Sequence, residues 1–296
     1  MTVRRFGIRA LTAWWRDGPV LPFSQVDVFT SELTLGNPVA VVHGADGLST
    51  EKMAAFARWT NLSETTFLCT PTDPAADYRV RIFTPVDELP FAGHPTLGSA
   101  RAWLERGGVP RSEGHIVQQC GIGLVRIRQA AGRLAFAAPP LVRSGSLDEA
   151  DVELVAHALR LDPGDVVGAQ WTDNGPGWVA LLLTDADTVL ALEPPKVAIG
   201  RFSKIGVIGP HRAGSDVAFE VRGLTSRNGL GEDPVTGSLN AAIAQWLIPA
   251  GKAPRTYTAA QGTRMQRRGR VHVEQVDDDI WVGGHTVLGV TGTVSL

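Results

Sequence analysis

The sequence predicts an α+β protein built from two similar lobes, and three observations predict it. Both halves of the 296-residue chain run strands, helix, strands, long helix. The segment His94-Pro95-Thr96-Leu97-Gly98-Ser99 recurs in spacing as Asp233-Pro234-Val235-Thr236-Gly237-Ser238, each opening an apolar helix, as an internal duplication leaves behind. Gly (33) and Pro (19) are frequent, which favours many turns and short strands over a helical bundle. Two similar lobes place a ligand in the cleft between them.

The elements follow in chain order. Residues 1–24 stand apart, with Arg4, Arg5, Arg9 and Arg16 against one acid, Asp17. Arg9 and Arg16 break the apolar stretch that an export signal after Arg4-Arg5 needs, so the segment reads as a strand-like or floppy extension carrying Trp14 and Trp15. Residues 25–28 and 39–42 are β-rich runs around the turn Leu35-Gly36-Asn37-Pro38. A helix follows to about Trp59, with Ser49 or Thr50 as N-cap and Met53, Phe56 and Ala57 on one face. Residues 65–69 and 78–83 read as strands, 99–105 as a helix ended by Gly107-Gly108, and 117–128 and 133–137 as strands. In the second half, 147–159 is a helix, 179–183 a buried strand, 185–192 a short helix, and 205–208 and 216–221 short β runs. A helix over 238–247 precedes strands from 257 to 294.

Composition excludes several classes. A net charge of −2 leaves no electrostatic footprint for nucleic acid. No run of about 18 apolar residues exists, so no membrane helix is expected. Cys69 and Cys120 lie far apart, too few for a zinc site or a disulfide framework, and a reduced cytoplasmic setting is the default. Phosphate-loop, GxGxxG, GxSxG and HExxH motifs are all absent. None of the lysines (Lys52, Lys196, Lys204, Lys252) sits in an obviously apolar strand, so a Schiff-base lysine has no support.

The candidate chemistry gathers at few places. Gly-Ser at each repeated helix start suits a carboxylate, because the first helical N–H groups have no internal partner and the macrodipole favours an anion. Plain capping by Ser is the alternative. Glu64, in Asn61-Leu62-Ser63-Glu64-Thr65, lies between an amphipathic helix and an apolar strand. Desolvation there raises the proton affinity of a carboxylate toward the range useful for acid/base work; a surface or capping Glu is the bland alternative. His94 is flanked by Gly93 and Pro95 and is either a substrate ligand or a satisfied structural histidine. Asp233, its repeat partner, either anchors a substrate amine or caps its helix. Asn174-Gly175-Pro176 is a turn at the cleft or an ordinary turn. Arg264, Arg267, Arg268 and Arg270 are expected to pair across strands with Asp277, Asp278 and Asp279 on a solvated surface.

Five segments together resemble the phenazine-biosynthesis PhzF-like family: QVDVFTSELTLGNPVAVV (25–42), NLSETTFL (61–68), RIFTPVDELPFAGHPTLGSA (81–100), DNGPGW (173–178) and GEDPVTGS (231–238). The resemblance spans residues 25–296. It implies a diaminopimelate epimerase-like fold of two pseudo-symmetric lobes, each a mixed sheet wrapped around a long central helix, and a homodimer. It implies a site between the lobes with no cofactor and no metal. The family's catalytic Glu falls on Glu64, and its substrate-contacting positions on Gly93, His94, Asp233, Gly237 and Ser238. Epimerases of this fold place two cysteines where His94 and Asp233 stand here, so a two-thiol racemisation is not expected. Leu239-Asn240 stand where the family commonly has small residues.

The expectation is therefore a cytoplasmic, cofactor-independent isomerase that moves a proton within a small carboxylate-bearing cyclic metabolite. In the phenazine-pathway member the substrate is trans-2,3-dihydro-3-hydroxyanthranilate. Glu64, His94 and Asp233 form the catalytic set, and Gly93, Gly237 and Ser238 bind substrate, with no nucleic-acid or membrane partner. A non-catalytic small-molecule binder using the same cleft, or an epimerase or lyase, is the alternative. The lobes are expected at 25–128 and 129–284, with 285–296 a final strand returning to the first lobe and 1–24 an extension.

Overall fold

The computed structural model describes residues 18–194, 199–225 and 231–296. The N-terminal readings on Arg4, Arg5, Arg9, Trp14, Trp15, Arg16 and Asp17, and that on Lys196, lie outside the described residues. The first lobe contains β1 (Val20–Val28), β2 (Asn37–Val42), α1 (Thr50–Thr60), β3 (Glu64–Cys69), β4 (Tyr78–Phe83), β5 (Glu88–Leu89), α2 (Gly93–Glu105), β6 (His115–Cys120), β7 (Gly123–Ala130) and β8 (Arg133–Ala137). After β9 (Arg143–Ser146) and α3 (Glu149–Ala158), the second contains β10 (Val166–Asp173), β11 (Val179–Leu183), α4 (Ala186–Ala191), β12 (Lys204–Pro210), β13 (Phe219–Thr225) and β14 (Gly231–Asp233). It continues with α5 (Gly237–Leu247), β15 (Thr256–Gln261), β16 (Gly269–Val276) and β17 (Asp279–Gly284), and β18 (Thr286–Ser295) ends the chain.

The duplication is visible in the pairing. In the first lobe β1–β2 is antiparallel, β2–β3 parallel, β3–β4 and β4–β5 antiparallel, β4–β6 parallel, and β6–β7 and β7–β8 antiparallel. The series from β10 to β17 repeats that order of senses step for step. Equivalent strands β8 and β17 pair antiparallel and join the lobes. The strands that open the two repeats are covered alike, β18 lying on β1 and β9 on β10, which makes β18 and β9 the edges of the ribbon. In space the strands run β18-β1-β2-β3-β4-β6-β7-β8-β17-β16-β15-β13-β12-β11-β10-β9.

Each sheet wraps a helix. Ten residues of α5, among them Leu239, Ile243 and Leu247, are buried, and so are residues 93–100 of α2. A helix apolar on nearly all sides belongs inside a core. Smaller elements cover the outside. α1 is capped by Ser49, whose side chain accepts from the Lys52 N–H at 3.3 Å, and it buries Met53, Phe56 and Ala57. Val-Ala-Leu-Leu-Leu of β11 is buried throughout, as a strand covered on both faces requires.

Several boundaries differ from the sequence reading. α2 begins at Gly93, six residues before Ser99, because Pro95 falls in the first turn, where its missing N–H leaves no intrahelical bond unmade. Gly98-Ser99 therefore lies inside the helix, with the Ser99 hydroxyl on Thr66 at 2.9 Å, and is not an anion-binding start. The run 117–128 is two strands, folded back at a turn where Gly123 has φ +101°. β1 starts at Val20, so the last residues of the basic extension are strand paired with β18. The arginine cluster pairs elsewhere than expected: Arg264 with Glu193, Arg268 with Glu32 and Arg270 with Asp216. Val276 and Asp279 sit opposite one another across a tight turn, so the three aspartates lie at the far end of β16 from the cluster.

Candidate active site

The site is built where the two helix starts meet. Gly93 and Gly237 are the first residues of α2 and α5. A Cβ on Gly93 would lie 3.0 Å from the Gly237 Cα and 2.8 Å from the Phe136 ring, and one on Gly237 would lie 3.1 Å from the Gly93 Cα. Both glycines are demanded by this backbone approach, the one use of glycine that no other residue can supply here.

His94 and Asp233, the repeat partners, are bridged by Asn37. Its side-chain Nδ2 donates to the Val235 carbonyl at 3.0 Å and to Asp233 Oδ1 at 3.1 Å, and lies 3.3 Å from His94 Nδ1. The two N–H groups are matched by the Val235 and Asp233 acceptors, with His94 Nδ1 beside them. Asp233 also accepts from Thr236 Oγ1 at 2.5 Å and from Ser63 Oγ at 3.4 Å.

Glu64 opens β3 next to this group. Its Oε2 approaches His94 Nε2 to 3.3 Å, and neither atom has a well-directed hydrogen bond among the described residues. Distance alone reads as an ion pair, but the electrostatics say otherwise. Burial, reinforced by the Asp233 charge and opposed by Lys204, pushes the Glu64 carboxyl up to about 8. Burial pulls His94 down to about 3, against a hydrogen bond with the Pro38 carbonyl. A neutral carboxylic acid therefore faces a neutral imidazole. Asp233 is also raised by burial, to about 6, with Thr236 and Asn37 holding it back.

A cavity of about 100 Å³ lies in front of Glu64. Glu64, Asp233, Glu232, Lys204, Ser238 and Thr236 supply its polar wall, and Leu89, Phe91 and Trp178 an apolar one. The Trp178 Nε1–H donates to Ser238 Oγ at 3.2 Å, and Asn174 Nδ2 to the Ser238 carbonyl at 2.9 Å. The turn at Asn174 reaches the cleft through Pro176 and Trp178, held by Asp173 Oδ1, which accepts from the Gly175 and Gly177 amides. Glu232 is pinned by Arg222 in a buried fork of 2.7 and 3.0 Å, which anchors the short strand carrying Asp233.

Glu64, His94, Asp233 and Ser238 are thus brought together, with Glu64, Asp233 and Ser238 on the cavity wall. His94 is 3% exposed and stands behind Glu64. Gly93 and Gly237 form the seam beneath the wall. Leu239 and Asn240 are turned into the protein, Asn240 onto Thr236 and Gln261, so they do not shape the cavity. Asn37 and Lys204 escaped the sequence reading. An Asn before Pro reads as a turn residue, and the signal for Lys204 was its scarcity and its place ahead of the β run at 205–208. Among the described residues no cluster of three His, Cys, Asp or Glu side chains is arranged to hold a metal ion, and no helix is long and apolar enough to cross a membrane.

A duplicated α+β fold with a buried carboxyl group where the two helix starts meet defines a class, the two-lobed diaminopimelate epimerase-like proteins. The family described as phenazine biosynthesis-like protein matches residues 26–292, and the chain belongs to it. It is 33% identical over 252 residues to the trans-2,3-dihydro-3-hydroxyanthranilate isomerase of Pseudomonas aeruginosa, covering 83% of this chain and 87% of that one. It is 35% identical over 289 residues to the Schizosaccharomyces pombe protein "antisense-enhancing sequence 1", covering 91% and 97%. The fold matches the crystal structure of the Bacillus anthracis phenazine biosynthesis protein of the PhzF family with TM-score 0.77 at 22% identity, over 93% of this chain and 99% of that one. By family and by relatives the chain is an isomerase.

Proposed function

We propose that this isomerase moves one proton between carbons of a small cyclic carboxylate, with Glu64 as the group that takes and returns it and with no cofactor. One observation carries the reading: the cavity wall presents a desolvated carboxyl, raised to about 8, 3.3 Å from a neutral histidine. A group titrating near working pH exchanges protons with least mismatch in either direction. In its ionised form Glu64 removes a proton from a ring carbon. The electron pair of that C–H bond shifts through the adjacent double bond, and a new C–H bond forms at the far carbon with the proton held on Glu64. No atom or electron is gained or lost.

Charge that develops on the substrate during this shift needs fixed donors. The α5 start at Gly237 and Ser238 is suited to the substrate carboxylate, and its alignment is supported by the bonds from Trp178 and Asn174 to Ser238. His94 and Asp233, tied through Asn37, orient hydroxyl, keto or amino groups. The same reading carries a homodimer in a reducing cytoplasm, for which the two free cysteines speak. It also carries two lobes with 285–296 returning to the first, as β18 on β1 supports; the repeated pairing order supports a boundary after β8 (Arg133–Ala137) instead of at 128/129.

The test uses trans-2,3-dihydro-3-hydroxyanthranilate first, then related hydroxy- and amino-substituted cyclic carboxylates that raise the melting temperature. In D₂O the wild type washes deuterium into its substrate. Glu64→Gln folds and loses that exchange by roughly 10²–10⁴-fold, the usual worth of such a group. A Glu64→Gln enzyme with unimpaired exchange ends the proposal.

A further inference from the structure

The cavity poses an electrostatic problem. Among the described residues its wall carries four carboxyl groups, those of Glu64, Glu232, Asp233 and the exposed Asp87, against one lysine, Lys204. Glu232 is neutralised from behind by Arg222, at 2.7 Å and buried. Glu64 and Asp233 have no arginine of their own in the hydrogen bonds and ion pairs of the described residues. An anionic substrate entering such a site meets the charge of Asp233, and that of Glu64 as well once Glu64 ionises to act as base, and this repulsion is strong where water is excluded. Something on the wall must offset it.

Lys204 is placed to do so. It is the first residue of β12, the strand that stands in the second lobe where β3 stands in the first. The two equivalent strands thus open on the cleft with opposite chemistry, Glu64 from one lobe and Lys204 from the other. Lys204 lowers the proton affinity of both Glu64 and Asp233, so its charge is felt across the whole wall. Its Nζ stands 5.7 Å from the centre of the Trp178 ring, whose N–H edge holds Ser238 Oγ at 3.2 Å. The ammonium and the α5 start therefore flank one indole, and an anionic group at Ser238 lies on the side of the cavity that Lys204 serves.

We infer that Lys204 is a substrate-binding residue that completes the carboxylate site at the start of α5 and selects anionic over neutral ring compounds. The inference deepens the proposed function and rests on it for the location of the carboxylate. It assigns the selection to a side chain outside both repeated motifs. Lysine supplies a mobile point charge of three donors, able to follow a carboxylate without fixing its plane, which leaves orientation to the helix start.

The probes are 3-hydroxyanthranilate, an aromatic analogue that has no proton to shift, and 2-aminophenol, which lacks its carboxylate. Calorimetry on wild type, Lys204→Met and Lys204→Arg gives the ratio of the two affinities for each protein. Wild type is expected to prefer the carboxylate, and Lys204→Met to lose about tenfold or more of that preference, as a lost charge-assisted bond implies. 2-Aminophenol binding stays level, and Lys204→Arg restores most of the ratio. A merely structural lysine would move both affinities together. A wild type that binds neither probe, or both alike, or a Lys204→Met ratio equal to wild type, overturns the inference. Turnover plays no part in this measurement. A failed Lys204 result accordingly leaves the Glu64→Gln exchange test standing, and the converse holds too.

Discussion

Glu64 and His94 make opposite demands on the fold. Glu64 keeps its proton in the native state up to about pH 8, while the unfolded chain releases it near 4.5. Over that interval the native state binds a proton that the unfolded state lacks, so stability is fully present below 4.5 and falls as pH rises through 8. Asp233 adds in the same direction, through about 6. His94 is neutral in the fold down to about 3 but charged in the unfolded chain below 6.5, so its contribution is lost as pH falls from 6.5 toward 3. Glu64→Gln should therefore raise the melting temperature at pH 8–9 and leave it nearly unchanged at pH 4. Thermal melts of wild type and variant across this range check the sign; an equal shift at both ends contradicts a raised carboxyl. The residue that most resists reading from sequence alone is Asn37. Its worth lies in three contacts to residues 57 to 198 positions away, and nothing about an Asn-Pro turn announces them.

At the scale of elements, local rules served well where a single segment decides its own structure. The N-cap at Ser49 and the buried face of α1 follow from spacing, and the apolar run at 179–183 becomes β11 without adjustment. They failed where a tertiary contact decides. The two copies of the six-residue motif are alike along the chain, yet one helix begins before His94 and the other after Thr236. What the two starts share is the glycine at each first residue, and that equivalence exists only across the seam. The seam itself is testable. Gly93→Ala sets a methyl group against the Gly237 Cα and the Phe136 ring at 3.0 and 2.8 Å. Overpacking of this kind costs roughly 1–3 kcal/mol, and here it also spreads the helix starts that position Ser238 and His94. Urea unfolding should show a loss in that range, together with a fall in turnover larger than the population of unfolded protein explains. Lys204 belongs to the same lesson. Its scarcity and its place ahead of a β run are faint signals, and they gain meaning only once it is the first residue of the strand opposite to that of Glu64.

The whole molecule is one ribbon of strands folded about two helices, and this decides how the cleft is held. The lobes are joined by β8 and β17, where Phe136 pairs with Val282 and Ala137 with Trp281. The principal core cluster does not stop at that junction: Leu97 and Phe136 from the first lobe share it with Leu239 and Val282 from the second. A cleft between lobes that share a core opens only by straining that core, so the candidate site is preorganised rather than assembled on binding. Phe136 is the residue on which this turns. It is fully buried, packs edge-on to Phe91 at 5.5 Å, and touches the space beside Gly93. Phe136→Ala should cost about 3–5 kcal/mol, as deletion of a buried aromatic ring does. If the lobes are one cooperative unit, the loss appears as a single transition at the same midpoint by far-ultraviolet circular dichroism and by tryptophan fluorescence, whose probes lie in both lobes, Trp59 and Trp103 in the first and Trp171, Trp246 and Trp281 in the second. Two separated transitions would mean that the second lobe stands without the first. The cleft would then be a hinge, and Glu64 would meet Asp233 only when substrate draws the lobes together.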